Sequence, residues 1–208
     1  MDTAHADTPT RRGRPGHDRE AVLDAAVALF NERGYDATSV ADVAGRLGVT
    51  KSALYHHFSS KEAVLELALG RALDSLEAAL DQPRDGRRAS AALRDVFRGA
   101  TDALVTNLPY VTLLLRVRGN GPVEQAALAR RRTFDQRVTA LVAQAQSDGD
   151  IRDDVDASVV ARLIFGMINS LVEWYRPGGA IDGSRLGHDV VTLALDGLLP
   201  TGGPRTQE

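Results

Sequence analysis

The 208-residue chain contains no cysteine. Disulfides and thiolate metal sites are therefore excluded, and a reducing, cytoplasmic location is expected. Lysine is nearly absent: Lys51 and Lys61 are the only two. No apolar run approaches the ~18 residues a membrane span needs, and the N-terminus is polar, unlike a signal peptide, so no membrane partner is expected. There is no glycine-rich phosphate loop and no nucleophile elbow, so neither a cofactor nor enzyme activity is expected. Alternation of apolar and polar residues never persists long enough for a strand. The formal net charge of -3 argues against general affinity for nucleic acid.

What remains is helical periodicity almost throughout. From Asp18, "DREAVLDAAVALFNERG" places Val22, Ala25, Ala26, Leu29 and Phe30 on one face and stops at Gly34. "SVADVAGRLG" follows, with Ser39 three residues before Asp42 as a capping box. "TKSALYHHF" restarts at once with Thr50 as N-cap. Ser59 and Glu62 match a second capping box, ahead of a helix that stops at Pro83. Further helices are expected over residues 88–107, 110–117, 122–147, 156–176 and 182–199. The fold class is all-α, with about nine helices and no internal repeat.

Two features invite a metal, and both fail. Neighbours such as His56 and His57 point about 100° apart on a helix, and no third ligand lies at the required spacing. In "DGDIRDDVD" (residues 148–156) Asp153 stands where a calcium loop needs glycine, and Val159 where it needs glutamate.

Two short helices joined by "LGVT" form a helix-turn-helix pattern. Val40, Val43, Ala44 and Leu47 give the first a buried face. Leu54 and Phe58 hold the second down, so Thr50, Lys51, Ser52, Ala53, Tyr55, His56 and His57 are forced outward. These are residue types that meet phosphates and base edges. Arg46, Lys51 and Lys61 stand against a single acid, Asp42, over residues 40–61. This local positive face can dock phosphates despite the net charge.

The stretch "GYDATSVADVAGRLGVTKSALYHHFSSKEAVLELAL" resembles the DNA-binding domain of the TetR family of bacterial transcriptional repressors. The resemblance rests on Phe30, Gly34–Tyr35, Ser39, Val43–Ala44, Gly48–Val49, Leu54, Tyr55, His57, Phe58 and Lys61–Glu62. It implies a homodimer whose front helices bind a palindromic DNA operator and whose rear helices bind a small-molecule effector that releases it. It also implies that Ser39 contacts phosphate and that Thr50, Lys51, Ser52 and His56 face the major groove. Tyr55 and His57 would brace the backbone, and Lys61 would pair with phosphate. Lys51 suits guanine, and the small side chains suit a thymine methyl. The domains implied are an arm (1–16), a DNA-binding domain (17–77), an effector and dimerisation domain (78–200) and a tail (201–208). A helical protein-interaction adaptor without DNA binding is the competing reading.

In the rear domain several helices are apolar on more than one side, which suits either core or cavity lining. Leu93, Phe97, Leu114, Phe134, Phe165, Met167 and Trp174 are candidate lining residues. Arg116, Arg118 and Arg130–Arg132 are candidates for an anionic ligand, or a solvated helix face. "EWYRPGG" (residues 173–179) resembles a stretch in TetR-type regulators of acyl-CoA catabolism, which implies an acyl-CoA effector. Ile164, Ile168, Leu171, Leu186, Val190 and Leu193 are expected at a four-helix dimer interface.

The arm carries "RRGRPG". Arg12 and Arg14 resemble the core of an AT-hook, which lays arginines in a narrow minor groove. The alternative is a passive basic tail. If the arm contacts DNA, deleting residues 1–16 weakens operator affinity and flattens its dependence on salt. An unchanged salt slope identifies a passive tail.

Overall fold

The computed structural model describes residues 18–82 and 86–197. Among these there is no strand. The arm with Arg12 and Arg14, the tail and Leu199 lie outside them.

The front unit follows its caps. Helix α1 (Arg19–Arg33) starts where the Asp18 carboxylate accepts the Ala21 N–H at 2.8 Å, and ends at Gly34, whose φ of 90° suits glycine alone. It buries Leu23 and Val27 as well as Val22, Ala26, Leu29 and Phe30, a wider face than the periodicity predicts. Helix α2 (Val40–Leu47) opens on the reciprocal Ser39–Asp42 capping box and ends at left-handed Gly48. Helix α3 (Lys51–Tyr55) is capped by Thr50. Helix α4 (Lys61–Leu80) is capped by Ser60, whose Oγ accepts the Ala63 N–H at 3.1 Å, and not by Ser59 as expected. Two adjacent serines make the register ambiguous in sequence; the hydrogen bond decides it.

The rear helices are α5 (Ala89–Thr106), α6 (Leu108–Arg116), α7 (Pro122–Ser147), α8 (Ala157–Asn169), α9 (Leu171–Trp174) and α10 (Gly183–Val191), the last followed by a wide π turn (Thr192–Asp196). The single helix expected over 156–176 is divided at Ser170 into α8 and α9, so ten α-helices stand among the described residues where about nine are expected. The helix expected to 199 loses its α geometry after Val191; Arg94 grips Asp196 there at 2.5 Å.

Helix α4 belongs to both units. Its first turns pack on α1, and its remainder packs on α5, α6 and α7. A boundary between 77 and 78 therefore falls inside its last turn, with no linker. Leu65, Leu69, Leu73, Phe97, Leu104 and Leu114 form the continuous core along it. Arg130 of α7 clasps Asp74 and Glu77 of α4, which holds its guanidinium above its ordinary range.

Helix α10 approaches α5 closely because Gly187 has no side chain. A Cβ there would sit 2.7 Å from Asp102 Oδ1 and 3.3 Å from the Arg98 carbonyl. Gly187→Ala is expected to cost about 1–3 kcal/mol by overpacking. Gly70→Ala, on α4 with nothing within 4 Å of the added carbon, is expected to stabilise by roughly 0.5–1 kcal/mol. Thermal melts that rank the two variants the other way would refute this packing.

Candidate nucleic-acid interface

The α2–α3 pair is pressed onto α1 by Val43, Ala44, Leu54 and Phe58, all buried against Val22, Ala26 and Phe30. The opposite surface carries Thr50, Lys51, Ser52, Tyr55 and His56, all exposed, with Tyr55 at 54%. The structure thus brings these predicted residues together. Helix α3 stops at Tyr55, earlier than expected, but His56 keeps helical dihedrals (φ -70°, ψ -25°). His57 is half-buried, its N–H bonded to the Leu54 carbonyl at 2.9 Å. Thr50 Oγ1 accepts the Ala53 N–H at 3.2 Å, which leaves its own hydrogen to donate.

Three expected cations or donors are committed elsewhere. Ser39 Oγ donates to Asp42 Oδ2 at 2.5 Å and accepts the Asp42 N–H, so its hydrogen is already used. The hydroxyl bond, and then the Ser39 N–H donating to Asp42 Oδ2 at 2.8 Å, hold the Asp42 carboxyl below its ordinary value. Arg46 pairs with Glu32. Lys61 Nζ donates to the carbonyls of Tyr35 at 2.9 Å and Thr38 at 3.0 Å, and lies 4.1 Å above the Tyr35 ring. Lys61 therefore pins the α1–α2 turn, where a phosphate partner was expected. The Tyr35 hydroxyl is pushed up to about 12, by burial first and then by Glu62. One residue escaped notice in the sequence. Arg19, the first residue of α1, stacks on the Phe58 ring at 4.9 Å.

Helix α6 ties this unit to the rear. Asn31 Nδ2 donates to the Pro109 carbonyl at 2.8 Å, and Arg116 donates to the Asn31 carbonyl at 2.6 Å. Tyr110 donates to Asp24, and burial, then Asp24, raises its own hydroxyl. Arg71 of α4 meets Glu20, Tyr110 and Asn107 together. Arg116, expected near a ligand, thus serves the domain junction.

In the rear domain Leu93 and Phe97 are fully buried core. Phe165 stands edge-on to Phe97 (6.0 Å) and Phe134 (5.3 Å). A cavity of about 40 Å³ lies beside Leu114, Phe134, Phe165 and Ile168. It shares Arg131, Asp135, Phe165 and Asn169 with an open groove of about 680 Å³ between α7 and α8, where Arg132 and Arg162 also lie. Of the Arg130–Arg132 run, only Arg131 and Arg132 face this groove. Burial raises the Asp135 carboxyl, opposed by Arg131 and Arg162.

The expected lining residues Met167 (38%) and Trp174 (47%) instead face outward. The expected dimer residues Ile164, Ile168, Leu171, Leu186 and Val190 instead pack inside the chain, and only Leu193 (44%) faces out. The outward stripe is Val159, Leu163, Met167 and Trp174, at helical spacing. Helix α8 is apolar on two sides, so the pattern alone could not say which side the chain itself covers. For the same reason the segment Ala157–Trp174, with mean hydropathy 1.3, meets the length and composition of a membrane-crossing helix, against the sequence expectation. The segment carries Arg162 and Glu173, and Ile164 and Ile168 pack into the rear core.

The acidic turn that resembled a calcium loop is also committed. Asp150 accepts from Arg88 and Ser90, Asp154 pairs with Arg152, and Asp156 caps α8.

A helix-turn-helix unit joined through a shared helix to an all-α domain with its own cavity defines a DNA-binding transcriptional regulator of the one-chain, two-domain type. Residues 22–68 match the family described as bacterial regulatory proteins, tetR family, and residues 86–198 match the tetracyclin repressor-like C-terminal domain. The chain belongs to the TetR family. It is similar to the HTH-type transcriptional repressor KstR2 of Mycolicibacterium smegmatis, 28% identical over 203 residues, covering 96% of this chain and 98% of that one. Among solved structures it is similar to a TetR transcriptional regulator family member from Streptomyces coelicolor A3, with 45% identity and a TM-score of 0.79. That likeness covers 86% of this chain and 91% of the other. It is also similar to AibR in complex with isovaleryl coenzyme A and operator DNA, at 27% identity and a TM-score of 0.69, covering 84% and 96%.

If the outward stripe of α8 is where two copies meet, Leu163→Glu, at a side chain 67% exposed, converts the protein to monomers in light scattering while its helical content stays the same. A Leu163→Glu protein that keeps its dimeric mass places the interface elsewhere.

Proposed function

We propose that this regulator is a homodimeric repressor released from a palindromic operator by an acyl-CoA-type effector. The observation that carries the effector reading is the continuity between the apolar cavity at Phe134 and Phe165 and the groove edged by Arg131, Arg132 and Arg162. Coenzyme A phosphates suit the groove, and at about 40 Å³ the cavity takes an acyl chain only when the side chains around Phe134 and Phe165 move apart. The isovaleryl coenzyme A in the AibR complex and the repressor name of KstR2 support the same reading.

At the operator, Thr50, Lys51, Ser52 and His56 face the major groove, and Tyr55 and His57 hold the backbone. Ser39 contributes through its cap on α2. Two copies joined along α8 present two such surfaces to the two half-sites. Chromosomal DNA as partner places the protein in the cytoplasm. An adaptor that binds no DNA has no use for the exposed polar surface of α3, and is not favoured.

Titration calorimetry with a panel of acyl-CoAs tests the effector. Binding is expected for at least one chain length, weakened tenfold or more by Arg131→Ala combined with Arg162→Ala. The same compound is expected to reduce operator binding in a gel shift. An absence of binding across the panel removes the acyl-CoA reading and leaves the DNA-binding function intact.

A further inference from the structure

Three phenylalanine rings meet in the rear domain, and they are not equivalent. Phe97 of α5 and Phe134 of α7 are buried. Phe165 of α8 is half-buried and stands edge-on to both, 6.0 Å from the first and 5.3 Å from the second. Phe165 lines the small cavity on one side and the open groove on the other, whereas neither Phe97 nor Phe134 lines the groove. It is the ring that stands between the two spaces.

The cavity measures about 40 Å³. A cavity of roughly 150 Å³ is what holds a molecule the size of benzene. An acyl chain therefore enters only if a wall moves. Leu104, Val111, Leu114 and Ile168 are walls fixed in the buried core. The walls shared with the groove are Arg131, Asp135, Phe165 and Asn169. Three of these are polar and can follow a ligand into the wet groove. Phe165 is the apolar plug among them.

A phenylalanine on a helix has two common χ1 wells, near 180° and near -60°. A single rotation thus carries the ring away from Phe97 and Phe134. The groove has room to receive it. A Cβ built on Gly166, the next residue of the groove wall, meets nothing within 4 Å. Arg162, three residues earlier on the same wall, has no hydrogen bond or ion pair among the described residues that the ring would break.

We infer that Phe165 is the door of the effector site: it turns into the groove as an acyl chain enters, and closes against Phe97 and Phe134 when the site is empty. The inference rests on the acyl-CoA reading above and names the residue on which entry depends. Such a door acts on rate and on chain length together. Association waits for the ring to turn. A longer chain competes with the ring for the same space.

The probes are straight-chain acyl-CoAs from butyryl to decanoyl, together with isovaleryl coenzyme A. Their association and dissociation rates are measured by surface plasmon resonance on immobilised full-length protein. Phe165→Ala is expected to raise the association rate by roughly fivefold or more, because no side-chain rotation precedes binding. It is also expected to shift the affinity ratio of decanoyl to butyryl by about tenfold, the worth of two or so further methylenes buried. Phe134→Leu shrinks a ring of the same cavity away from the groove. It is expected to change affinities and leave association rates as they are. Unchanged association rates in Phe165→Ala, or an equal acceleration in Phe134→Leu, would mean that Phe165 only lines the site. The door is then overturned and the acyl-CoA reading stands. Absence of binding across the panel, by wild type and Phe165→Ala alike, overturns both. Should Phe165→Ala fail to fold, Phe165→Leu is expected to show the same acceleration to a smaller degree. In wild type labelled with fluorophenylalanine, five ring signals are expected, one for each phenylalanine. The signal missing from Phe165→Leu is expected to move on saturation with ligand, and a stationary one refutes the proposal.

Discussion

Everything this regulator does depends on one junction, where Arg71 of α4 draws together Glu20 of α1, Asn107 at the start of α6 and the Tyr110 ring. Helix α4 runs through both units, so no flexible linker separates the surface that meets DNA from the cavity behind it. Helix α6 then closes the circuit. Tyr110, Pro109 and Arg116 hold α1 from one side, while Val111, Leu114 and Leu115 line the small cavity from the other. A ligand that displaces α6 by a fraction of an ångström has to strain these bonds, because packed cores shift between discrete arrangements and do not deform continuously.

The front of the molecule was readable because each device there is local. A serine three residues before an aspartate, a glycine after a leucine and two apolar residues four apart leave few ways to fold. The capping box at Ser39 and the left-handed Gly48 formed as the spacing predicted. The Ser59 cap failed by one residue because the adjacent Ser60 competes for the same role. The charges were less legible. Counting Arg46 and Lys61 as a positive face ignored their partners, Glu32 and the two turn carbonyls, which lie 14 to 26 residues away in sequence.

The rear was legible as helices and not as surfaces. Helix α8 presents Ile164 and Ile168 on one side and Leu163 and Met167 on the other, and periodicity treats the two sides alike. Only packing against α5 and α7 tells them apart. Arg130, Arg131 and Arg132 read in sequence as one basic run. In the fold Arg130 turns to α4 while its two neighbours edge the groove. Trp174, the chain's one tryptophan, continues the outward stripe of Val159, Leu163 and Met167, which periodicity alone does not distinguish from a cavity-facing side.

The central claim is that cavity and operator surface share one free energy. Thermodynamic linkage makes that claim symmetric: the factor by which the proposed acyl-CoA effector weakens operator binding must equal the factor by which operator weakens binding of that effector. The decisive measurement is both dissociation constants, each taken with the other partner absent and saturating, on the same full-length protein. The structure predicts equal factors of roughly 5–150, the usual range of coupling between sites. Tight binding at both sites with a factor of one in each direction would contradict it, since the two ends of α6 would then be independent.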